Sequence, residues 1–297
     1  MAEQGFLSPV ELARAFVSVG EKKACLPVGK MFLLAILAGV YIGFGAHLAT
    51  TVATGDYAFG IKKLLIGSVF SVGLMLVIIP GAELFTGNNL MTVALCHGRI
   101  GFGGLFRNWV VVYAGNLVGS VFLAGIIAAG SGLLSGPVGG TAIKIAAGKV
   151  SAAPIDHLNQ NVAFFFRAIA CNMLVCLAVM MAIAAKDIAG KILGIFFPIM
   201  AFVASGFEHC IANMYFIPAG IFAKSFPAAI EASGKTAEQL AGLNWGSMWT
   251  NNLVAVTAGN LVGGAVFVGV VYFFAHVRNN TAAAATAQSD ASATSNK

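Results

Sequence analysis

Six apolar stretches recur along the chain, and two of them are interrupted by residues that a membrane helix does not accept without cause. A membrane span needs about 20 mostly apolar residues, and runs of that kind cover roughly 31–53, 64–95, 109–134, 161–185, 192–223 and 246–275. A chain that is 59% hydrophobic and 9% charged is too apolar for a soluble domain, so these runs read as transmembrane helices. The second run carries Pro80-Gly81 and then Glu83. The fifth carries Pro198, then Gly206, Glu208 and His209, then Pro218. Both read as broken helices. An interrupted backbone at membrane depth is tolerated only where protein buries it or water reaches it, so the breaks point inward.

An internal repeat organises the six spans. AGNLVG occurs at 114–119 and again at 258–263, on the third and sixth runs, and each copy has a second asparagine eight residues before its own: Asn108 before Asn116, Asn252 before Asn260. The broken runs match as well, since G-x-E-x-x-x-x-N is met by Gly81, Glu83 and Asn88 and again by Gly206, Glu208 and Asn213. The chain therefore reads as two three-span units, about 31–134 and 161–278. Three is odd, so the second unit is expected to enter the membrane inverted, and discontinuous helices at matching places of inverted repeats mark a translocation site near the midplane.

A carboxylate at membrane depth costs at least about 2.5 kcal/mol on insertion scales and marks a pathway or a satisfied pair. The symmetry of Glu83 and Glu208 favours a supporting task at the helix breaks, shared with Asn88 and Asn213, in which each carboxylate accepts backbone N–H groups that lipid cannot satisfy. His209 has no such symmetry, because Leu84 stands at its place in the first unit. An imidazole titrates near physiological pH, and an arriving anion favours its charged form, so His209 is a candidate for coupling a proton to an anion. Thr86 and Asn172 offer polar groups to the same region. Bulky apolar residues nearby, Phe70, Leu74, Phe85 and Phe202 among them, suit hydrophobic constrictions.

The flanks and charges complete the reading. Segment 1–30 contains Ser8-Pro9-Val10-Glu11, a capping box with proline at the first helical position, so a short amphipathic helix through about Val19 is expected at the membrane surface. The tail 279–297 is Ala, Ser, Thr and Asn and reads as disordered. With the N-terminus and C-terminus in the cytoplasm, ten of the 17 Lys and Arg fall on the inner side, a weak positive-inside signal. No basic cluster with interleaved aromatics speaks for nucleic acid. The five cysteines form no C-x-x-C pair, and neither disulfides nor a metal site nor a cofactor is expected.

GAELFTGN at 81–88 and ASGFEHCIANM at 204–214, with AGNLVG and CNMLVCLAV at 171–179 in the expected order, resemble the formate/nitrite transporter family over about 8–278. The resemblance implies an all-α, aquaporin-like membrane protein of six helices in two inverted repeats, with broken second and fifth helices and a homopentamer carrying one pore per subunit. It implies that His209 is the central histidine, with Thr86 in the loop of the broken second helix and Asn172 and Val175 on the fourth helix. Phe70 and Phe202 would form an outer constriction, and Leu74, Leu84, Phe85 and Val175 an inner one. The family's lysine before the fourth helix has no ungapped match, since the count from Asn172 reaches Asp156; Lys149 is the nearest candidate for an anion-attracting base.

The expected function is a channel in the cell inner or plasma membrane for small monovalent anions, formate first, coupled to protons through the central histidine. Nitrite and hydrosulfide are alternatives, and NMYFIPAGI at 213–221 resembles formate members more than nitrite members. An aquaglyceroporin-like pore is disfavoured because the twin Asn-Pro-Ala motifs are absent. An enzyme that used Glu208 and His209 as acid and base would lack a nucleophile, since neither H-E-x-x-H nor G-x-S-x-G occurs.

Overall fold

The computed structural model describes residues 5–151, 153–155 and 157–278; the tail 279–297 and Asp156 lie outside the described residues. Helices build nearly all of it. α1 is Pro9–Ala24, α2 Val28–Ala53, α3 Phe59–Ile78, α4 covers 85–96, and α5 is Phe102–Gly130. α6 is Pro137–Val150, α7 Gln160–Ala184, α8 Ile188–Ser205, α9 Cys210–Ala223, α10 Pro227–Ser233, α11 Ala237–Gly242 and α12 Trp245–Val277. Six helices, α2, α3, α5, α7, α8 and α12, are long and apolar enough to cross a membrane. α4 and α9 continue α3 and α8 beyond the two breaks.

α1 starts where the capping box places it. The Ser8 side chain accepts the Glu11 N–H, and the Glu11 carboxylate accepts the Ser8 N–H at 2.8 Å. These bonds from Ser8 hold the Glu11 carboxyl below its ordinary range. The helix runs on to Ala24, further than expected, and so carries Lys22 and Lys23 in its last turn, where cations complement the helix dipole. Its apolar face, with Phe16 and Val17, is buried against protein rather than lipid: Gly20 lies so close to Ala94 that a side chain there would collide.

Both breaks turn at a glycine, and Pro80 stands directly before the first. α8 and α9 run through Pro198 and Pro218, whereas the backbone turns left-handed at Gly81 (φ 90°) and Gly206 (φ 77°), which residues with a Cβ resist. Each turn closes alike, with Ala82 N–H donating to the Val77 carbonyl (2.8 Å) and Phe207 N–H to the Phe202 carbonyl (3.1 Å).

The AGNLVG copies explain how the bundle closes. Gly115 and Gly119 of α5 lie against the backbone of α2 at Phe32, Ala35 and Ile36. Gly259 and Gly263 of α12 lie likewise against α7 at Phe165, Ala168 and Ile169. A Cβ at any of the four would strike its neighbour, so glycine is what allows these helices to touch. α12 departs from its counterpart by taking wide i→i+5 turns over Val262–Val270. Nearby carbonyls on it accept bonds from other helices: Asn260 from Asn172 and Asn89, and Ala265 from Thr92.

Candidate functional site

The two breaks are wired by the same set of bonds. In the first, Glu83 takes the Lys23 ammonium at 2.6 Å and the Asn88 amide at 2.7 Å; Asn88 also donates to Asn108 Oδ1, and Asn108 donates to the Lys23 carbonyl. In the second, Glu208 takes Lys149 on both oxygens (3.0 and 2.9 Å) and Asn213 at 2.7 Å; Asn213 donates to Asn252 Oδ1, and Asn252 to the Lys149 carbonyl.

The glutamates thus bind side-chain donors, not the backbone N–H groups expected from the sequence. Those amides are satisfied by the AGNLVG asparagines. Asn116 Oδ1 accepts Phe85 N–H at 3.0 Å, and its amide donates to the carbonyls of Ala35 and Glu83. Asn260 repeats this with Cys210 N–H at 2.9 Å and the carbonyls of Ala168 and Glu208. An asparagine carries both an acceptor and two donors, so one side chain satisfies a helix start and two neighbouring carbonyls together; a carboxylate cannot. Asn116 and Asn260 were absent from the candidate residues, although a lone asparagine between two glycines of an apolar run was the signal.

Between the breaks stands His209. As the residue before α9 it caps that helix, its Nδ1 accepting the Ala212 N–H at 3.1 Å. An amide can only donate, so Nδ1 is bare and the proton of the neutral ring sits on Nε2. Nε2 is 2.9 Å from Thr86 Oγ1, which makes the threonine hydroxyl the acceptor of that bond. Its own proton has no acceptor among the described residues. The ring lies nearly parallel to Phe202, with centroids 5.8 Å apart. Asn172 steadies the other side, donating to the carbonyls of Thr86 (3.3 Å) and Asn260 (2.7 Å).

Cavities approach this pair from two ends. One, of about 230 Å³, is lined by Lys63, Phe70, Lys149, Phe202, Glu208, His209 and Asn213. The other, of about 80 Å³, is lined by Phe16, Lys23, Leu74, Leu84, Asn88 and Val179. Each has room for several waters, for which about 10–15 Å³ apiece suffices. Phe70 and Phe202 meet edge to face at 5.7 Å in the larger, and Leu74 and Leu84 lie together in the smaller. Two expected constriction residues do not join them. Phe85 packs edge-on against Tyr113 (5.0 Å) and Trp109 and lines a shallow groove elsewhere on the bundle; Val175 is buried one turn before Val179 and lines neither cavity.

The match of this chain to the family model described as formate/nitrite transporter spans residues 10–274. The chain belongs to the formate/nitrite transporter family. It is 44% identical over 292 residues to the probable formate transporter of Methanothermobacter thermautotrophicus, covering 92% of this chain and 98% of that one. To the formate channel FocA of Escherichia coli (strain K12) it is 37% identical over 280 residues, covering 92% and 96%. Its fold is similar to a solved pentameric formate channel with formate bound, with a TM-score of 0.73 and 39% identity, covering 84% of this chain and 98% of that chain. As a member of this transporter family with six apolar spans, it is a multi-pass membrane protein.

Proposed function

We propose that the chain is a formate channel of the cell inner or plasma membrane, with both termini cytoplasmic and a homopentameric assembly in which each subunit has its own pore. In this reading the two three-span units cross the membrane in opposite directions, and the cavities of 230 and 80 Å³ are the outer and inner vestibules of one path. The observation that carries it is the Thr86–His209 pair, buried between two cavities whose linings include aromatic and aliphatic residues. A bare anion passing such residues loses hydration that a few polar groups cannot replace, whereas the neutral acid loses far less.

The hydrogen bonds define how a proton is delivered. With Nδ1 held by Ala212 N–H, the resting ring is neutral and hands its Nε2 proton to a hydrogen bond with Thr86. The threonine O–H then faces the anion, polarised by that bond. To act as an acid the ring must take a second proton on Nδ1 from the aqueous solution by way of the larger cavity, which requires it to turn away from the α9 cap at a cost of about 1 kcal/mol. An anion beside the ring offsets this cost by favouring imidazolium. The proton passes from Nε2 to Thr86 while the threonine proton passes to formate, leaving a neutral ring and a neutral acid.

His209→Asn is the discriminating variant, because asparagine is among the best capping residues and keeps the start of α9 while removing the proton carrier. Formate flux in proteoliposomes, followed from about pH 5 to pH 8 across the ordinary histidine range, is expected to lose its rise toward acidic pH. A mutant that keeps the wild-type profile with equal proton movement per anion would show that His209 is only a cap.

A further inference from the structure

We infer that Lys63 supplies an electrostatic attraction for anions at the larger vestibule. This rests on the anion-channel reading above. The charged groups that line this cavity are Lys63, Lys149 and Glu208, with His209 neutral in its capping state. Lys149 is already balanced: its ammonium lies within 3.0 Å of both Glu208 oxygens, and Asn213 occupies Glu208 as well. The two charges of that pair offset each other, so its field falls off faster with distance than that of a lone ammonium.

Lys63 is different. It projects from the first turns of α3, half-buried, with its ammonium 5.8 Å from the centre of the Phe59 ring. No carboxylate among the described residues forms an ion pair with it. Its nearest anionic candidate in sequence, Asp56, is exposed and not ion-paired with it. The Lys63 ammonium reaches to within 3.8 Å of the space a side chain on Gly206 would fill, so it stands over the break that leads to Glu208 and His209. The glycine therefore does two things: it permits the left-handed turn, and it leaves the lysine a clear line into the cavity. An unbalanced positive charge in an apolar-walled cleft concentrates anions locally and speeds their entry. The smaller vestibule has no equivalent, because its lysine, Lys23, is tied to Glu83.

The test compares formate uptake by wild-type, Lys63→Gln, Lys63→Glu and Lys63→Arg proteins reconstituted as intact oligomers. Lys62→Gln serves as a control that removes the same charge from outside the cavity. Removing one charge about 10 Å from the entering anion is expected to raise the half-saturating formate concentration about threefold to tenfold. Lys63→Glu raises it further, Lys63→Arg restores it, and Lys62→Gln leaves it unaltered. The salt dependence of uptake flattens in Lys63→Gln, which a purely structural role would not produce. Wild-type formate flux with an unaltered half-saturation and salt slope in Lys63→Gln overturns this inference alone, as does an equal shift in Lys62→Gln. Absence of formate flux in the wild type overturns the channel reading and this inference with it.

Discussion

At Gly81 and at Gly206 a membrane helix ends in a left-handed glycine, the chain crosses a short extended stretch, and a new helix begins two residues after a buried glutamate. Laid side by side, the two endings agree bond for bond: lysine to glutamate, glutamate to asparagine, asparagine to asparagine, and a second asparagine closing the new helix start. They differ at the residue after the glutamate. Leu84 and His209 share nearly the same backbone angles (φ −109°, ψ 123° and φ −116°, ψ 117°), so no scaffold change was needed to place a titratable group at one of them. In the proposed function the duplicated parts are scaffold, and proton chemistry belongs to the position where the copies part. The vestibule charges diverge in the same way, through Lys63 on one side alone.

If the duplicated bonds are scaffold, the two copies should fail alike. Asn116 and Asn260 each make three hydrogen bonds from fully buried positions. Alanine at either strands the N–H of Phe85 or Cys210 and the carbonyl of Glu83 or Glu208, at about 1–3 kcal/mol for each group, and removes a second bond from the helical carbonyl of Ala35 or Ala168. Both variants are expected to lose about 4 kcal/mol, a fall of about 10 °C in the detergent melting temperature. A large loss in Asn260→Ala with none in Asn116→Ala would break the equivalence.

The spans, the paired G-x-E-x-x-x-x-N motifs and the AGNLVG copies were legible because apolar length and repeated polar exceptions survive in one dimension. Other features were not. Pro198 and Pro218 have the sequence character of breakers, yet helices pass through both. α6 falls between the two units as the sequence bounds them. At 14 residues, it is too short to register as a span, and its likeness to α1 lies in what its last lysine reaches rather than in shared letters. That is also why Lys149 escaped an ungapped count: the residues between it and α7 carry a loop, and only the three-dimensional bond to Glu208 shows it to be the mate of Lys23. Phe85 is expected at the inner constriction from its bulk and from the resemblance to the family, whereas its ring turns to Tyr113.

The ion pairs sharpen the comparison, since the partners match while Lys149 meets both oxygens of Glu208, Lys23 meets one of Glu83, and their exposure differs. The Lys149 side chain is 16% exposed and that of Lys23 is 23%, each opposite a glutamate below 10%. Removing one partner of a buried pair strands the other charge, at about 3–5 kcal/mol when burial is complete. Partial exposure lowers this, so Lys149→Met is expected to cost about 3 kcal/mol and Lys23→Met about 2 kcal/mol. Lys149→Met with Glu208→Gln should recover most of the first loss, and Lys23→Met with Glu83→Gln most of the second. Thermal melts of the four variants decide this. A double variant no better than its single would mean that the lysine stem, not its charge, is what the site needs.

The smallest effect concerns how the two lysine-bearing helices begin. α1 has a full capping box from Ser8 and Glu11, whereas α6 starts at Gly136 with Pro137 and has no side-chain cap. Removing the Ser8 hydroxyl should therefore touch one half only. Ser8→Ala leaves the Glu11 N–H to water and is expected to cost about 1 kcal/mol, or about 2–3 °C of melting temperature. Because α1 carries Lys23 fifteen residues on, fraying from Ser8 weakens the docking of Phe16 and Gly20 before it reaches the Glu83 pair. The Glu11 carboxyl, held below its ordinary range by Ser8, adds a pH signature. A depressed carboxyl stabilises the fold above its unfolded pKa and loses that contribution as pH falls through the folded value, so the gap between wild type and Ser8→Ala should narrow in acid. Hydrogen exchange of α1 amides reads the effect directly. Faster exchange in α1 at neutral pH with α6 unaltered fits a local cap; equal acceleration in both helices would mean that α1 and α6 respond as one unit, and that the two halves are coupled through the break rather than merely alike.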